Sequence, residues 1–270
     1  GRVFVVAHVK SRREGVELPA EKFPKLDNDD RDKLSREERD QYERNRNEEQ
    51  LARRELQYLY EEKLHCFDAK SGDPLWTHAA ESRLTRFPQS ASPAVEGEIV
   101  ITHGARGSVR AVSVADGKQL WSTQLPGEFD DEPHPASPAI ADGVAVVVAD
   151  RVFGVRVKDG KLLWQGEDEI GSDYSSPAIW RHGKRSFALV HMGGDTACLD
   201  LANGKTDWSV ESSAGRSSPV VVSDRLITYG NSRKGGVRCF ALSPEKGEPL
   251  WHNTAAADEG SSPVVVDDHV

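Results

Sequence analysis

Long hydrophobic runs are missing from this sequence. The longest apolar stretches hold about five residues, whereas a helix that spans a bilayer takes about 20. Cysteine is scarce: the three present cannot build a disulfide-dense scaffold. Positive charge is in deficit, with 35 Lys and Arg against 44 Asp and Glu in 270 residues. A net charge of −9 argues against binding nucleic acid through phosphate contacts. There is no HExxH, no Cys/His zinc spacing, no GxGxxG, Walker or GxSxG motif and no calcium loop. The nine histidines are scattered. The chain begins at Gly1 without a signal-peptide pattern and stops at Val270 in mid-pattern, so it reads as a segment of a longer protein.

A repeat is present. Trp76, Trp121, Trp164, Trp208 and Trp251 follow one another at spacings of 45, 43, 44 and 43. Gly72, Gly117, Gly160, Gly204 and Gly247 each stand four residues before one of them, and Leu75, Leu120, Leu163 and Leu250 precede four of them directly. A Ser-Pro pair recurs in phase at Ser92, Ser137, Ser176, Ser218 and Ser262. Each unit holds four short runs of β-branched and alternating residues. In the second they cover residues 92–96, 98–103, 108–114 and 119–125. Four antiparallel strands per period of this length mean the blades of an all-β propeller. The glycines fall in the last hairpin turn, where positive φ costs them least. Cys66, Ala111, Gly154, Cys198 and Cys239 occupy one equivalent position. All are small, as expected where neighbouring blades approach closely, and this accounts for the cysteines as buried fillers.

Four blades are complete. The first unit opens at its second strand, Arg2 to Val9, and the last ten residues supply one inner strand, Ser262 to Val266. Either that strand closes a five-blade ring or residues 1–270 form one arc of a larger ring.

The blocks resemble the tryptophan-docking repeats of the PQQ-type β-propellers, which carry an Asp-Ala-x-Thr-Gly-x-x-x-Trp signature. Asp68-Ala69-Lys70-Ser71-Gly72 through Trp76 comes closest, and the other units are degenerate, with Val114, Lys158 and Asn203 among the departures. The resemblance covers residues 60–270. It implies seven or eight blades, hence the arc, and a cell-envelope or periplasmic location. The family it points to holds quinone-dependent dehydrogenases and non-enzymatic members such as the assembly lipoprotein BamB.

One segment breaks the pattern. Residues 11–62 form an insertion between the second and third strands of the first blade. From Ser11 to Lys63, 29 of 53 residues are charged, against 50 of 217 elsewhere. Such a segment buries too little apolar surface to fold as a separate globule. Ser35 and Glu38 form a capping box, and no Pro or Gly interrupts residues 36–61, so one helix of about 40 Å is expected there at about 1.5 Å per residue. Pro19 and Pro24 mark the first half as extended loop. Leu51, Leu56, Tyr58 and Leu59 are the candidate partner-binding residues, near the return to the blade.

The insertion shares its face of the propeller with the links between blades. Those links carry Glu128 with Asp130-Asp131-Glu132, then Glu167-Asp168-Glu169 and Asp258-Glu259, and the cations Arg83, Arg86 and Arg216. Solvated loop is the expectation for all of them. A quinone dehydrogenase needs a calcium-class Lewis acid and a carboxylate base, and its alcohol-oxidising branch carries a vicinal Cys pair. Neither can be assigned here. The expected function is therefore a non-catalytic scaffold that binds a protein or peptide, with no catalytic or metal residues and no cofactor. The alternatives are a PQQ- and calcium-dependent alcohol or sugar dehydrogenase, and a carbohydrate-binding or sensor module. No nucleic acid and no transmembrane segment enter these readings.

Overall fold

The computed structural model describes residues 1–85, 87, 90–129, 134–170, 174–213, 215–230, 235–255, 261–267 and 269–270. Among these residues, five antiparallel sheets follow one another along the chain. The first has three strands, β1 (Arg2–Arg12), β2 (Tyr58–Asp68) and β3 (Pro74–Ser82), with two helices, α1 (Asn28–Asp32) and α2 (Arg36–Gln57), between β1 and β2. The second holds β4 (Ala94–Glu96), β5 (Ile99–His103), β6 (Ser108–Ser113) and β7 (Gln119–Gln124). The third holds β8 (Ala139–Ala141), β9 (Val144–Val148), β10 (Val152–Arg156) and β11 (Leu162–Gln165). The fourth is β12 (Ala178–His182), β13 (Arg185–Met192), β14 (Asp195–Asp200) and β15 (Thr206–Glu211). The fifth is β16 (Val220–Val222), β17 (Arg225–Gly230), β18 (Gly236–Leu242) and β19 (Gly247–Asn253). Successive inner strands β4, β8, β12 and β16 are neighbours, as blades around an axis must be.

The apolar cores lie between blades. One joins Ile101, Val109 and Ala111 of the second blade to Val147, Phe153 and Val155 of the third. Others join the third to the fourth and the fourth to the fifth. Four of the five repeat tryptophans are the bolts of such joints. Trp76, Trp121, Trp164 and Trp208 donate their indole N–H to the carbonyls of Val114, Val157, Leu201 and Ser243 in the following blade, at 2.8–3.1 Å. The repeat glycine of that following blade lies against the ring: a Cβ on Gly117, Gly160 or Gly204 would collide with Trp76, Trp121 or Trp164. Those three glycines and Gly72 have φ between +71° and +76°. Gly247 departs from the expectation. Its turn is two residues longer, its φ is not positive, and only the closeness of Trp208 and Val210 requires glycine.

The small position also has a different cause from the one expected. Cys66, Ala111, Gly154, Cys198 and Cys239 lie directly across the ladder from Trp76, Trp121, Trp164, Trp208 and Trp251. Each is the seat for its own blade's indole; a Cβ on Gly154 would strike Trp164. Immediately beyond, all five ladders slip by one residue. That bulge pushes Leu75, Leu120, Leu163 and Leu250 outward, where they are 39–49% exposed.

The Ser-Pro pairs form a second chain of joints. The Ser92 amide donates to Ser137 Oγ, Ser137 to Ser176, Ser176 to Ser218 and Ser218 to Ser262, each at 2.8–2.9 Å. The last of these is the sixth unit's foothold. The inner strand expected at Ser262 to Val266 is not formed: the described residues there make one bridge, between Val266 and His269, and no pairing with β1.

Candidate functional site

The insertion stands on an elongated hairpin. Phe4 opposite Cys66 corresponds to Ile101 opposite Ala111. Pairing in the second blade ends two residues later, at His103, but in the first it continues for eight, to Arg12 opposite Tyr58. Six extra residues per strand raise the hairpin by about 20 Å at about 3.3 Å per residue. The expected helix therefore ends early. It stops at Gln57 because residues 58–62 pair with residues 8–12 as strand.

The 22 residues of α2 span about 33 Å. Its capping box is formed: Ser35 Oγ accepts from the Glu38 amide at 3.3 Å, and Glu38 accepts from the Ser35 amide at 2.8 Å. The first half of the insertion is tied to the helix and contains the short helix α1. The Glu49 carboxylate accepts the amides of Lys22 and Phe23, both at 2.7 Å. Tyr42 donates to the Pro24 carbonyl at 2.9 Å, and its ring meets Phe23 edge-on at 5.5 Å. Arg53 donates to the Pro19 carbonyl and pairs with Glu21 at 3.8 Å. Together these make one arm of strap and helix.

The four candidate partner-binding residues do not form one patch. Leu51 and Leu56 are five apart on α2 and so lie on different sides of it. Leu56, half exposed, lines a groove of about 590 Å³ with Pro19, Phe23 and Ala52. Tyr58 and Leu59 are neighbours in β2 and face opposite ways. Tyr58 lines a larger cleft, of about 650 Å³, between the arm and the first blade. Its walls include His8, Lys10, Arg53, Arg54, Tyr60 and Arg83.

Beneath that cleft the first blade meets the second through polar groups. Glu62, buried at 4% exposure, lies 3.5 Å from the Arg110 guanidinium, which also donates to the Glu81 carbonyl at 2.9 Å. Burial, followed by the charge of Arg110, holds the His78 imidazole below its ordinary pKa. Burial likewise lowers His8, against the pull of Glu62. Sequence reading counted Glu62 among the arm's charges. Its signal was the alternation Tyr58, Tyr60, Glu62, Leu64, Cys66, which places it on the face turned toward the second blade.

In the charged links, the Glu167 main-chain carbonyl and the Glu169 carboxylate accept from Arg151, Arg83 pairs with Glu55 at 3.4 Å, and Arg216 lies over the Tyr174 ring at 5.3 Å. Arg86, Asp130, Asp131, Glu132, Asp258 and Glu259 lie outside the described residues. Among the described residues, no three His, Cys, Asp or Glu side chains gather as metal ligands. The three cysteines do not fit the quinone-flanking role either. They sit buried on three different blades, with burial pushing each thiol upward in pKa. Among the described residues no helix is long and apolar enough to cross a membrane.

Comparison with known proteins gives the following. The sequence profile of the family described as "Outer membrane protein assembly factor BamB" matches residues 52–253 and 194–270. A curated relative of that name from Moranella endobia is 26% identical over 220 residues, which is 77% of this chain and 54% of the relative. The quinoprotein alcohol dehydrogenase PedH of Pseudomonas putida is 30% identical over 154 residues, 52% of this chain and 26% of that enzyme. Among solved structures, the quinohemoprotein alcohol dehydrogenase of Comamonas testosteroni superposes with a TM-score of 0.52 at 12% identity, covering 71% of this chain and 41% of that one. At that identity the likeness concerns the propeller fold alone. The chain spans about half the length of the curated assembly factors it matches, and most of the arm, residues 10–51, lies outside the family profile.

Proposed function

Since this chain belongs to the family of the outer membrane protein assembly factor BamB, we propose that it is a non-catalytic scaffold of the cell envelope that holds a protein partner on its loop face. The observation that carries this reading is the family match across all the repeats from residue 52 onward. The geometry supports it. A stack of blades joined by indoles and serines presents one face of loops, and the arm adds a raised wall to that face. The match to PedH covers a quarter of that enzyme, and shared repeats account for it.

Two measurements test the reading. Deleting the gene in its own host should lower the amount of β-barrel proteins in the outer membrane, with recovery on re-expression. Unchanged levels would count against the assembly role. Titrating the full-length protein with PQQ and calcium should give no saturable binding. One-to-one binding at micromolar or tighter would replace the scaffold with the dehydrogenase.

A further inference from the structure

The cleft between the arm and the first blade has a charge character that the chain as a whole lacks. Most of its ionic groups are already matched. Arg53 is held by Pro19 and Glu21, Arg83 by Glu55, and Glu61 by Lys63 at 3.5 Å. Lys10 and Arg54 remain, with no ion pair among the described residues. Lys10 rests 3.8 Å above the Tyr58 ring, which orients the ammonium without neutralising it. Two further polar atoms are buried beside it and have no hydrogen-bond partner among the described residues: the Tyr60 hydroxyl and His8 Nε2. Both residues line the cleft. Arg54 is near enough to Tyr60 to oppose the rise in pKa that burial gives its phenol.

We propose that this cleft is a binding site for an acidic peptide segment, whose carboxylates are received by Lys10, Arg54 and the Tyr60 hydroxyl. The inference rests on the scaffold reading and names the chemistry of the partner. Lys10 stands on β1 and Arg54 on α2, so a ligand that satisfies both must bridge two elements. A peptide with successive carboxylates does that while also filling the length of the cleft. Val9, Leu18 and Leu84 supply apolar contacts between the charged points. A volume of about 650 Å³ falls in the roughly 300–1,000 Å³ range of ligand sites. The arm forms one wall, and its residues 10–51, Lys10 and Arg53's strap partner Pro19 among them, lie outside the family profile, whereas Arg54 and Tyr60 fall within it.

The test uses the full chain and a fluorescein-labelled decaglutamate, read by fluorescence anisotropy at low salt, with decalysine and glutarate as comparisons. Decaglutamate binds and decalysine does not, and added salt weakens the binding. Lys10→Gln, Arg54→Gln and Tyr60→Phe each weaken it by about fivefold or more, as expected when a charge-assisted hydrogen bond is lost. Arg44→Gln, toward the far end of α2, leaves it unchanged. Thermal unfolding of every variant confirms that the blades are intact. The proposal fails if decaglutamate does not bind, if Arg44→Gln weakens it as much as Arg54→Gln, or if glutarate competes at equal concentration of carboxylate. It also fails if vesicles of phosphatidylglycerol bind through Arg54 while the peptide does not. Loss of outer-membrane β-barrel proteins on gene deletion, with full rescue by the Lys10→Gln, Arg54→Gln double variant, would retain the scaffold and remove this site.

Discussion

Trp164 of the third blade donates its indole N–H to the Leu201 carbonyl of the fourth at 2.8 Å. The same ring lies against Gly204, whose φ is +73°. Donor, ring and glycine belong to one joint, repeated from blade to blade.

Gly204→Ala and Gly72→Ala should therefore differ sharply. Both positions have positive φ, so both replacements incur backbone strain of about 1–2 kcal/mol. Only at residue 204 does the new methyl also collide with an indole; at residue 72 nothing lies within 4 Å. Urea unfolding should show Gly204→Ala losing at least about 2 kcal/mol more than Gly72→Ala, in the range of overpacked cores. Equal losses would mean that the ring does not press on the turn.

The Trp and Gly positions were legible because a propeller meets the same two residues at every joint. The serine chain was visible only as a marker. Its partners are 39–45 residues apart in sequence, and no local pattern shows that one serine's amide meets the next one's hydroxyl. The end of α2 was misplaced because residues 58–61 suit a helix as well as a strand; pairing with residues 9–12 decides between them. The cleft was not legible at all. It depends on how far the first hairpin rises and on where the strap folds back, and both are set by contacts between distant residues.

The serine chain makes its own prediction. Ser176→Ala removes the acceptor of the Ser137 amide and leaves that N–H without its partner. The bond is part-buried, so its loss costs about 1 kcal/mol, up to about 3 if water does not reach the freed amide. The variant should lose that much in urea unfolding, and the Ser137 amide should exchange with deuterium faster. An unchanged exchange rate would show that the hydroxyl is dispensable.

The arm should loosen without unfolding the blades. Glu49→Ala takes away the acceptor of two strap amides. Limited proteolysis should then cut within residues 13–27 several times faster, while the melting temperature of the propeller stays within a degree or two. A matching drop in melting temperature would mean that strap and blades unfold as one unit.

Stability should fall on mild acidification because of two buried histidines. His103 and His191 occupy equivalent places in the second and fourth blades, and burial lowers each from 6.5 to about 4. His103 Nδ1 donates to the Ala136 carbonyl at 3.1 Å. His191 Nδ1 donates to Thr196 Oγ1, which donates to Ser212 Oγ, each at 2.8 Å; Ser212 in turn donates to the Gly194 carbonyl. Both rings therefore carry their proton on Nδ1, and Nε2 is left bare among the described residues. The unfolded chain takes up protons near pH 6.5, whereas the folded one resists until about pH 4. The stabilising contribution is thus complete above pH 6.5 and is lost as the pH falls toward 4, by up to roughly 3 kcal/mol per histidine. Gln at both positions keeps a donor and removes the titration. Measured by urea unfolding at pH 7, 6, 5 and 4, the wild type should lose stability faster than the His103→Gln, His191→Gln double variant. Parallel curves would show that these rings are protonated as readily in the folded blades as in water.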